Sequence, residues 1–393
     1  MLIINKKNIN PSMENKKKLK ILILSLSDLE RDPRILRQIN FLRENYLVTC
    51  VGKNPPKNKN IDFIKVNYQF QLIQLVTFSL FSLLKKYDLA YYQFFKSKML
   101  ESLKIPEEKN FDLIIANDID TLPFSVKIKR NSKLLFDAHE YSPEEINDNF
   151  FWRIIFKDYR SYLLRKFLPQ CDVMTTVSKG IAEKYKKEFN VLPTVITNAA
   201  DYYDLTPTIV DPGNIKLIHH GVADPDRKVE NMIELMRFLD SRFSLDLMLV
   251  PLSQVYLKKL KYISREIKNV KFVDPVPTKE IVRKTNKYDI GLHIIEPKNY
   301  SDIYSLPNKF FEFIQARLAI AISPSPEMAR IVNKYDLGVV ATDFKPVTLA
   351  KFLNRLTPEK IQYYKNRSHK YAYELSSGRN AEILDRLINN LKL

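Results

Sequence analysis

The sequence predicts an α/β protein built from two parallel-sheet domains. Short apolar runs typical of buried strands recur along the chain, and helical patterns lie between most of them. This alternation starts near the N-terminus and starts again after an irregular segment in the middle of the chain. The 393 residues also exceed the length that one hydrophobic core usually supports. We therefore expect two domains, each with its own core.

The first half carries one series of predicted strands and a well-marked helix. Asp32 suits the N-cap of this helix, and Pro33 suits its first position. Ile35, Ile39 and Leu42 then form an apolar stripe along one helix face. A strand followed by such a helix is the usual opening of a parallel α/β domain. The runs that predict strands are 19–26, 47–51, 113–116, 134–137 and 173–177.

The second half repeats this pattern after a linker. The linker at 201–213 holds Pro207, Pro212 and Gly213 and has no clear periodicity. A helical pattern follows at 229–239. The predicted strands are 215–219, 245–250, 270–273, 290–294, 318–322 and 338–340.

We expect a flexible N-terminal extension at 1–17, an N-terminal domain at 18–205, a C-terminal domain at 206–375, and a C-terminal helix at 376–393 that packs back on the N-terminal domain.

Composition narrows the classes of partner and compartment. The formal net charge of +18 suits an anionic partner: a nucleic acid, a phosphate-bearing substrate or an anionic lipid surface. Cys50 and Cys171 form neither a disulfide framework nor a metal-binding knuckle, so we expect a reducing, cytoplasmic compartment. The apolar stretch at 71–84 is shorter than the roughly 20 residues that a membrane-spanning helix needs.

The glycines and histidines exclude several cofactor-dependent classes. The sequence has seven glycines, and no two stand at the spacing of a dinucleotide-binding or P-loop motif. An NAD-linked dehydrogenase and a P-loop kinase are therefore not expected. The five histidines show no zinc-binding spacing. The sequence thus predicts no cofactor and no metal site.

The most informative segment, 305–316, is predicted to be a helix and precedes a strand. Pro307 suits the start of this helix, where free N–H groups favour an anion. Glu312 lies about one and a half turns further along, and its carboxylate can accept hydrogen bonds from two vicinal ribose hydroxyls. The alternative is an ordinary surface ion pair between Lys309 and Glu312 at helical i, i+3 spacing.

This segment and several others resemble the family-4 glycosyltransferases, which are retaining enzymes of the GT-B fold. The resemblance implies two Rossmann-like domains that face a cleft, with the nucleotide sugar held by the C-terminal one. Glu312 matches the ribose-binding second Glu of the family's Glu-x7-Glu motif, whereas Tyr304 stands where the first Glu would be. The other matching segments are 28–38, 117–123, 136–141, 172–178 and Thr197-Asn198.

The resemblance also implies roles for residues outside that motif. Gly221 corresponds to a glycine-bearing loop after the first strand of the C-terminal domain, and Arg227 and Lys228 correspond to basic residues that contact the donor diphosphate. His139 corresponds to a histidine near the donor sugar. The helix-start residues expected to bind the donor with Glu312 are Asn308 and Lys309. Such enzymes of the hexosyltransferase type react on one face of the sugar and need no enzyme nucleophile.

Three other functions remain open at the level of sequence. A GT-A glycosyltransferase would use Asp118 and Asp120 to bind a metal on the donor diphosphate. A nucleotide-sugar epimerase can share the GT-B fold and needs no acceptor. A nucleic-acid-binding protein would use the basic charge, but Lys and Arg are spread along most helices, so we expect no nucleic-acid partner.

The acceptor is indicated only by one aromatic and basic stretch at 68–100. Its composition suits a helix that lies in a membrane interface. The more common structure for such a stretch is an amphipathic core helix with a solvated basic face, and both interpretations stay open. Enzymes of this resemblance often use glycan or lipid-linked acceptors in surface polysaccharide synthesis. The resulting expectation is a cytoplasmic enzyme with peripheral contact to the anionic inner face of the membrane.

Overall fold

The computed structural model describes residues 18–56, 60–66, 72–93, 110–145 and 150–393. The predicted extension at 1–17 and parts of the aromatic and basic stretch, 68–71 and 94–100, lie outside these residues. The described chain contains two separate parallel sheets with helices between successive strands. The predicted α/β fold class is therefore confirmed.

The first sheet has seven parallel strands in the order β3-β2-β1-β4-β5-β6-β7. Its central strands are buried on both faces, as the continuous apolar runs of the sequence require. Helices cover both sides, and the first strand pairs with the second and the fourth. The strands are β1 (Lys20–Leu24), β2 (Leu47–Gly52), β3 (Asp62–Lys65), β4 (Leu113–Asn117), β5 (Lys133–Ala138), β6 (Val173–Thr176) and β7 (Thr194–Val195).

The second sheet has six parallel strands in the order β10-β9-β8-β11-β12-β13. Its first strand, β8, lies in the centre and pairs with β9 and β11. This arrangement repeats the central position of β1 in the first sheet. The strands are β8 (Ile215–Ala223), β9 (Phe243–Pro251), β10 (Val270–Val273), β11 (Ile290–His293), β12 (Ala319–Ile322) and β13 (Gly338–Val340).

Helices connect the strands and cover the sheets. The described helices of the first half are α1 (Pro33–Asn45), α2 (Leu72–Leu83), α3 (Tyr87–Tyr91), α4 (Leu122–Ile128), α5 (Phe150–Phe167) and α6 (Lys179–Phe189). Those of the second half are α7 (Glu230–Leu235), α8 (Gln254–Ile263), α9 (Thr278–Thr285), α10 (Tyr300–Ile303), α11 (Asn308–Gln315), α12 (Pro326–Tyr335), α13 (Pro346–Asn354), α14 (Pro358–Tyr371) and α15 (Ser377–Asn390). None of the helices in the described ranges is long and apolar enough to cross a membrane.

The start of α1 follows its predicted capping. Asp32 has an extended backbone, and its side chain accepts hydrogen bonds from the backbone N–H groups of Arg34 and Ile35. Ile35, Ile39 and Leu42 are fully buried against the first sheet. Both the cap and the apolar stripe are therefore confirmed.

The eleven runs predicted to be strands all form strands, but β3 and β7 are additional. Each lies at an edge of the first sheet. Strand β3 has two apolar residues between Asp62 and Lys65, and β7 has only two residues, so neither produces a long apolar run. Edge strands are also less buried than central strands, which removes the strongest sequence signal.

The C-terminal helix α15 packs against the N-terminal sheet rather than the sheet that precedes it in sequence. Leu384 and Ile388 belong to the same hydrophobic cluster as Ile23 in β1 and Ile39 in α1. The start of α15 is fixed by a hydrogen bond from the backbone N–H of Ser377 to the carbonyl of Ala200. The chain thus crosses back from the C-terminal sheet to the N-terminal one.

We expect that Ile388→Ala lowers the free energy of unfolding by about 2–5 kcal/mol, because it opens a cavity in the cluster that joins α15 to β1. The exposed neighbour Asn390→Ala is the control and should change stability by less than about 0.5 kcal/mol. Urea unfolding measures both variants. Equal stability of the two variants would show that α15 does not contribute to the core.

Candidate functional site

The candidate site lies where the carboxyl ends of the two parallel sheets meet, the usual ligand position in open α/β sheets. Contacts between the two halves frame it. Arg37 in α1 donates a hydrogen bond from Nη2 to Oδ1 of Asn308, at the start of α11, over 3.1 Å. The side-chain amide of Asn198 donates to the carbonyl oxygen of Leu306. These bonds bring the first turn of α11 next to the N-terminal domain.

Helix α11 is buried from its second residue to its end. Every residue from Lys309 to Gln315 is buried, including two charged ones: Lys309 is 6% exposed and Glu312 is 9% exposed. The aromatic side chains of Phe310, Phe311 and Phe313 hold the helix in the core of the C-terminal domain. A surface ion pair between Lys309 and Glu312 is therefore the wrong interpretation, because neither side chain is at the surface.

Lys309 occupies a space that a glycine leaves open. Its Nζ lies 3.5 Å from Nε2 of His219, and a Cβ at Gly221 would stand 2.7 Å from that Nζ. Gly221 also has a φ of +141°, which side-chain-bearing residues rarely adopt. The expectation that Gly221 lies in a loop after the strand is wrong, because β8 continues through Gly221 to Ala223. The strand itself thus makes room for the ammonium group.

Burial shifts the pKa values of both charged residues on α11 toward neutrality. Burial, together with the charge of Arg227, lowers the pKa of Lys309 to about 7 against the opposing charge of Glu312. Burial raises the pKa of Glu312 to about 7, against the opposing charges of Arg37 and Lys309. The two groups therefore titrate near neutrality, where a ligand charge can change their state.

Glu312 has hydrogen-bonding capacity that the described residues do not use. Its carboxylate accepts no hydrogen bond from them, although Nε2 of His220 lies 3.5 Å from Oε2. Burial lowers the pKa of His220 to about 3, so this ring is neutral. Among the described residues, the Lys309 ammonium group has one hydrogen-bond partner, the ring of His219. Buried charged groups normally make several hydrogen bonds, so this pair is suited to a polar ligand.

Arg227 and Lys228, adjacent in sequence, have different surroundings. Arg227 is half-buried, and its charge helps to lower the pKa of Lys309. In the described ranges no carboxylate pairs with it. Lys228 has a left-handed backbone, with φ at 44°, and its ammonium group lies 3.0 Å from the carboxylate of Glu296. This ion pair is more than half exposed, so Arg227 is the cation directed toward the site.

His139 stands at the end of β5 within a group of polar side chains. Its Nδ1 lies 3.3 Å from Oδ2 of Asp118, and its Nε2 lies 3.6 Å from Oδ2 of Asp137 and 3.3 Å from Oδ1 of Asn117. Burial alone would lower the pKa of His139, but Asp118 and Asp137 outweigh burial and raise the pKa. The ring is thus held in the cleft with a tendency to carry a proton.

Asp137 is held by Arg34, a residue without a predicted role. The guanidinium donates from Nε to Oδ2 over 3.0 Å and from Nη2 to Oδ1 over 2.6 Å, and Thr175 donates its hydroxyl to Oδ1. Burial would raise the pKa of Asp137, but Arg34 and His139 together lower it well below the usual range. Arg34 also donates to the side chain of Asn198. The Arg34 guanidinium thus joins its own segment, 28–38, to two others on which the family resemblance rests, 136–141 and Thr197-Asn198.

Asp118 and Asp120 point to different partners. Asp118 has a φ of +64°, a strained conformation for a non-glycine residue, and its carboxylate faces His139. Asp120 lies 3.7 Å from Nη2 of Arg160 instead. The two carboxylates therefore do not converge as a pair of metal ligands would. Over the described parts of the chain, no group of three or more His, Cys, Asp and Glu is arranged to hold a metal ion.

Tyr304 lies where the two halves of the chain touch. Its ring contacts the ring of Tyr300 with centroids 4.6 Å apart, and it packs closely on Gly180 in α6. The backbone N–H of Gly180 donates to the buried carboxylate of Glu327 over 2.7 Å. A glycine at 180 is required because any Cβ would collide with the Tyr304 ring. Tyr304 therefore takes part in the contact between the domains.

Comparison with solved structures identifies the architecture. HepE from Anabaena, in complex with UDP, superimposes with a TM-score of 0.69 at 15% identity, covering 95% of this chain and 100% of that one. Sucrose-phosphate synthase from Thermosynechococcus elongatus gives 0.70 at 11%, covering 95% and 99%. A UDP-forming α,α-trehalose-phosphate synthase from Burkholderia vietnamiensis gives 0.65 at 10%, covering 95% and 100%. The chain has the GT-B fold.

These likenesses are structural, because no family model and no curated protein matches the chain. The identities are low enough that they show the fold alone. The shared fold nevertheless excludes one of the alternative functions. A GT-A enzyme built around Asp118 and Asp120 is wrong, because the chain has two separate parallel sheets and the GT-B arrangement.

The shifted pKa of Lys309 predicts a pH effect on stability. Its pKa of about 7 in the folded chain lies below the roughly 10.4 of an unfolded lysine. Between these pH values the unfolded chain binds a proton that the folded chain does not, so stability rises with pH. Relative to Lys309→Met, the wild type should gain up to about 1 kcal/mol per pH unit between pH 7.5 and 9.5. Urea unfolding at each pH measures this difference, and parallel pH profiles would contradict the shift.

Proposed function

We propose that the chain is a retaining, metal-independent glycosyltransferase of the hexosyltransferase type. In this proposal it transfers a sugar from a nucleotide-diphosphate sugar to a glycan or lipid-linked acceptor. The role is in surface polysaccharide synthesis in the cytoplasm, at the inner face of the membrane. The family-4 resemblance supports retention and the acceptor class. The UDP and UDP-glucose complexes of HepE, a structure of the same fold, support a nucleotide-sugar donor.

The observation that carries the proposal is the buried pair Lys309 and Glu312 on one face of α11. A cation and a carboxylate with unused hydrogen-bonding capacity, one turn apart near a helix N-terminus, match the two parts of a nucleoside diphosphate. In the proposal, Lys309, Asn308 and Arg227 face the diphosphate beside Gly221, whose missing Cβ leaves the space in which the Lys309 ammonium group lies. Glu312 accepts hydrogen bonds from the ribose hydroxyls.

The domains divide the work in this proposal. Residues 206–375 bind the donor, and residues 18–205 present the acceptor and His139. The remaining parts are a terminal extension at 1–17 and the returning helix at 376–393. Because Asp118 and Asp137 favour its protonated form, His139 can donate a hydrogen bond to a sugar hydroxyl or a phosphate oxygen once one ring N–H turns away from its present partner. We place Tyr304 at the edge of the donor site, where it takes the position of the family's first Glu.

The chemistry in this proposal consists mainly of charge stabilisation. The departing diphosphate gains negative charge as the glycosidic bond breaks, and preorganised cations lower the energy of that state. Arg227 and Lys309 supply this charge, and Lys228 adds to the field from the rim. The leaving phosphate oxygen takes the proton of the incoming hydroxyl on the same face of the sugar, so the anomeric configuration is kept.

Two other functions remain as alternatives to this proposal. A nucleotide-sugar epimerase of the GT-B fold would use the same donor site and release an altered sugar without an acceptor. A nucleic-acid-binding protein would use the +18 charge, but this charge is distributed along the chain. Product analysis with and without an acceptor separates the first alternative, and salt-dependent binding to random DNA tests the second.

We expect Glu312→Ala to weaken binding of the nucleoside diphosphate by about 10- to 150-fold. The change removes charge-assisted hydrogen bonds worth about 1.5–3 kcal/mol, while alanine suits a helix interior. A 2′-deoxyribose ligand should lose less affinity, because it lacks one of the hydroxyls. Calorimetric titration measures both ligands. The matched control is Glu359→Ala, in the first turn of α14. Equal losses for ribose and deoxyribose ligands would remove Glu312 from the ribose site.

The first-formed product should keep the anomeric configuration of the donor sugar. Retention follows from a reaction on one face of the sugar, without an enzyme carboxylate as nucleophile. Proton NMR of the product during the first turnovers distinguishes the two anomers before they equilibrate. An inverted product would contradict the retaining assignment, although it would leave the donor site itself in place.

Activity should survive EDTA at concentrations that remove free divalent cations. Arg227 and Lys309 provide positive charge at the diphosphate, and Asp118 and Asp120 face different partners. Initial rates with and without EDTA make the comparison. Complete loss of activity that Mn²⁺ restores would show that a metal carries the charge instead.

A further inference from the structure

The surface of the N-terminal domain carries a set of exposed apolar side chains that the transfer reaction does not use. On α2, the residues Ile73, Val76, Leu80, Leu83 and Leu84, the last just beyond its end, are each more than half exposed. The expected solvated basic face of an amphipathic core helix is therefore wrong for this helix, because its solvent side is apolar. Residues scattered singly would be ordinary, but five within three turns of one helix are not.

Helix α5 extends the same feature. Its first turn exposes Phe150, Phe151 and Ile154, with Phe151 75% exposed. The two helices pack together: the ring of Phe78 in α2 lies 5.0 Å from the ring of Phe156 in α5. The hydroxyl of Ser82 also donates to a backbone carbonyl of α5. We call these eight exposed residues of α2 and α5 the apolar surface.

Cations border the apolar surface. Lys85 and Lys86 follow directly on Leu84, and Arg153 lies among the exposed residues of α5. All three side chains are exposed, and none of them forms an ion pair with a carboxylate in the described ranges. Asp158, exposed one turn beyond Ile154, marks the edge, because anionic headgroups would repel it. An apolar surface bordered by cations that pair with no carboxylate of the described residues fits the boundary between acyl chains and anionic headgroups, and Arg153 lies over the Phe150 ring at 5.6 Å.

We propose that the apolar surface docks the protein on an anionic lipid membrane. Its aliphatic and aromatic side chains enter the acyl boundary, and Lys85, Lys86 and Arg153 contact the phosphate of the headgroups. The helices lie in the plane of the interface, since neither is long and apolar enough to span the membrane. This proposal deepens the proposed function, because such docking brings the acceptor side of the cleft near a lipid-linked acceptor.

Sedimentation with vesicles tests the docking without any donor sugar, so its outcome is separate from that of the transfer reaction. The full chain should bind vesicles of equal parts phosphatidylglycerol and phosphatidylcholine more tightly than pure phosphatidylcholine. The triple variant Val76→Ser, Leu80→Ser and Phe151→Ser should lose at least about tenfold in binding. The pair Lys85→Glu and Lys86→Glu should lose on the order of 10- to 30-fold on the anionic vesicles.

A matched control uses apolar residues of similar exposure on the C-terminal domain. Leu252→Ser, Val255→Ser and Tyr262→Ser should leave vesicle binding unchanged. Because all the substituted residues are exposed, the unfolding midpoints of both triple variants should equal that of the wild type. Equal vesicle binding by the two triple variants would overturn the proposal. Failure of the wild type to bind anionic vesicles would also overturn the proposal. So would a wild-type dimer that dissociates only in the first triple variant, because the apolar surface would then contact a second copy of the chain.

Discussion

The structure depends most on the burial of two opposite charges in one helix of the C-terminal domain. Lys309 and Glu312 lie on α11, which is otherwise packed into the core through three phenylalanines. Burying charged groups without full hydrogen bonding costs several kcal/mol, unless their pKa values shift toward neutrality. Both pKa values do shift to about 7. Such a loss of stability is typical of a site whose charged groups gain hydrogen bonds when a polar ligand binds. The burial of Lys309 and Glu312 therefore explains both the loss of stability and the capacity to bind a polar ligand.

A second constraint, on the opposite side of the cleft, holds His139. Arg34 binds Asp137 with two hydrogen bonds, and Asp137 together with Asp118 keeps the imidazole in place. Asp118 reaches this position through a strained backbone conformation with φ at +64°. The strained Asp118 and the buried Arg34–Asp137 pair together fix the position of the His139 ring at the end of β5. Each half of the chain thus has an energetically unfavourable feature at the same cleft: the buried charges of α11 in one half and the strained Asp118 in the other.

The sequence was a good guide wherever a signal is local. Continuous apolar runs predicted the central strands, and Asp32 with Pro33 predicted the start of α1, because burial and capping act within a few residues. The relation between Lys309 and Gly221 could not be predicted in this way, since it depends on the distance between α11 and β8, which are far apart in the chain. The resemblance assigns Lys228 the same role as Arg227, but the structure pairs Lys228 with Glu296. The apolar solvent-facing side of α2 could not be predicted either, because it depends on which face of α2 packs against α5.

Calorimetric titration of UDP, GDP, ADP and dTDP at pH 8 tests the central claim most directly. In two buffers of different ionisation heat, one of these nucleoside diphosphates should bind with uptake of close to one proton. The reason is that the diphosphate stabilises the charged form of Lys309, which is mostly neutral at that pH when free. Lys309→Met should bind more weakly and without this uptake. Failure of all four nucleotides to bind, or equal proton uptake by the variant, would contradict the assignment of α11 as the donor site.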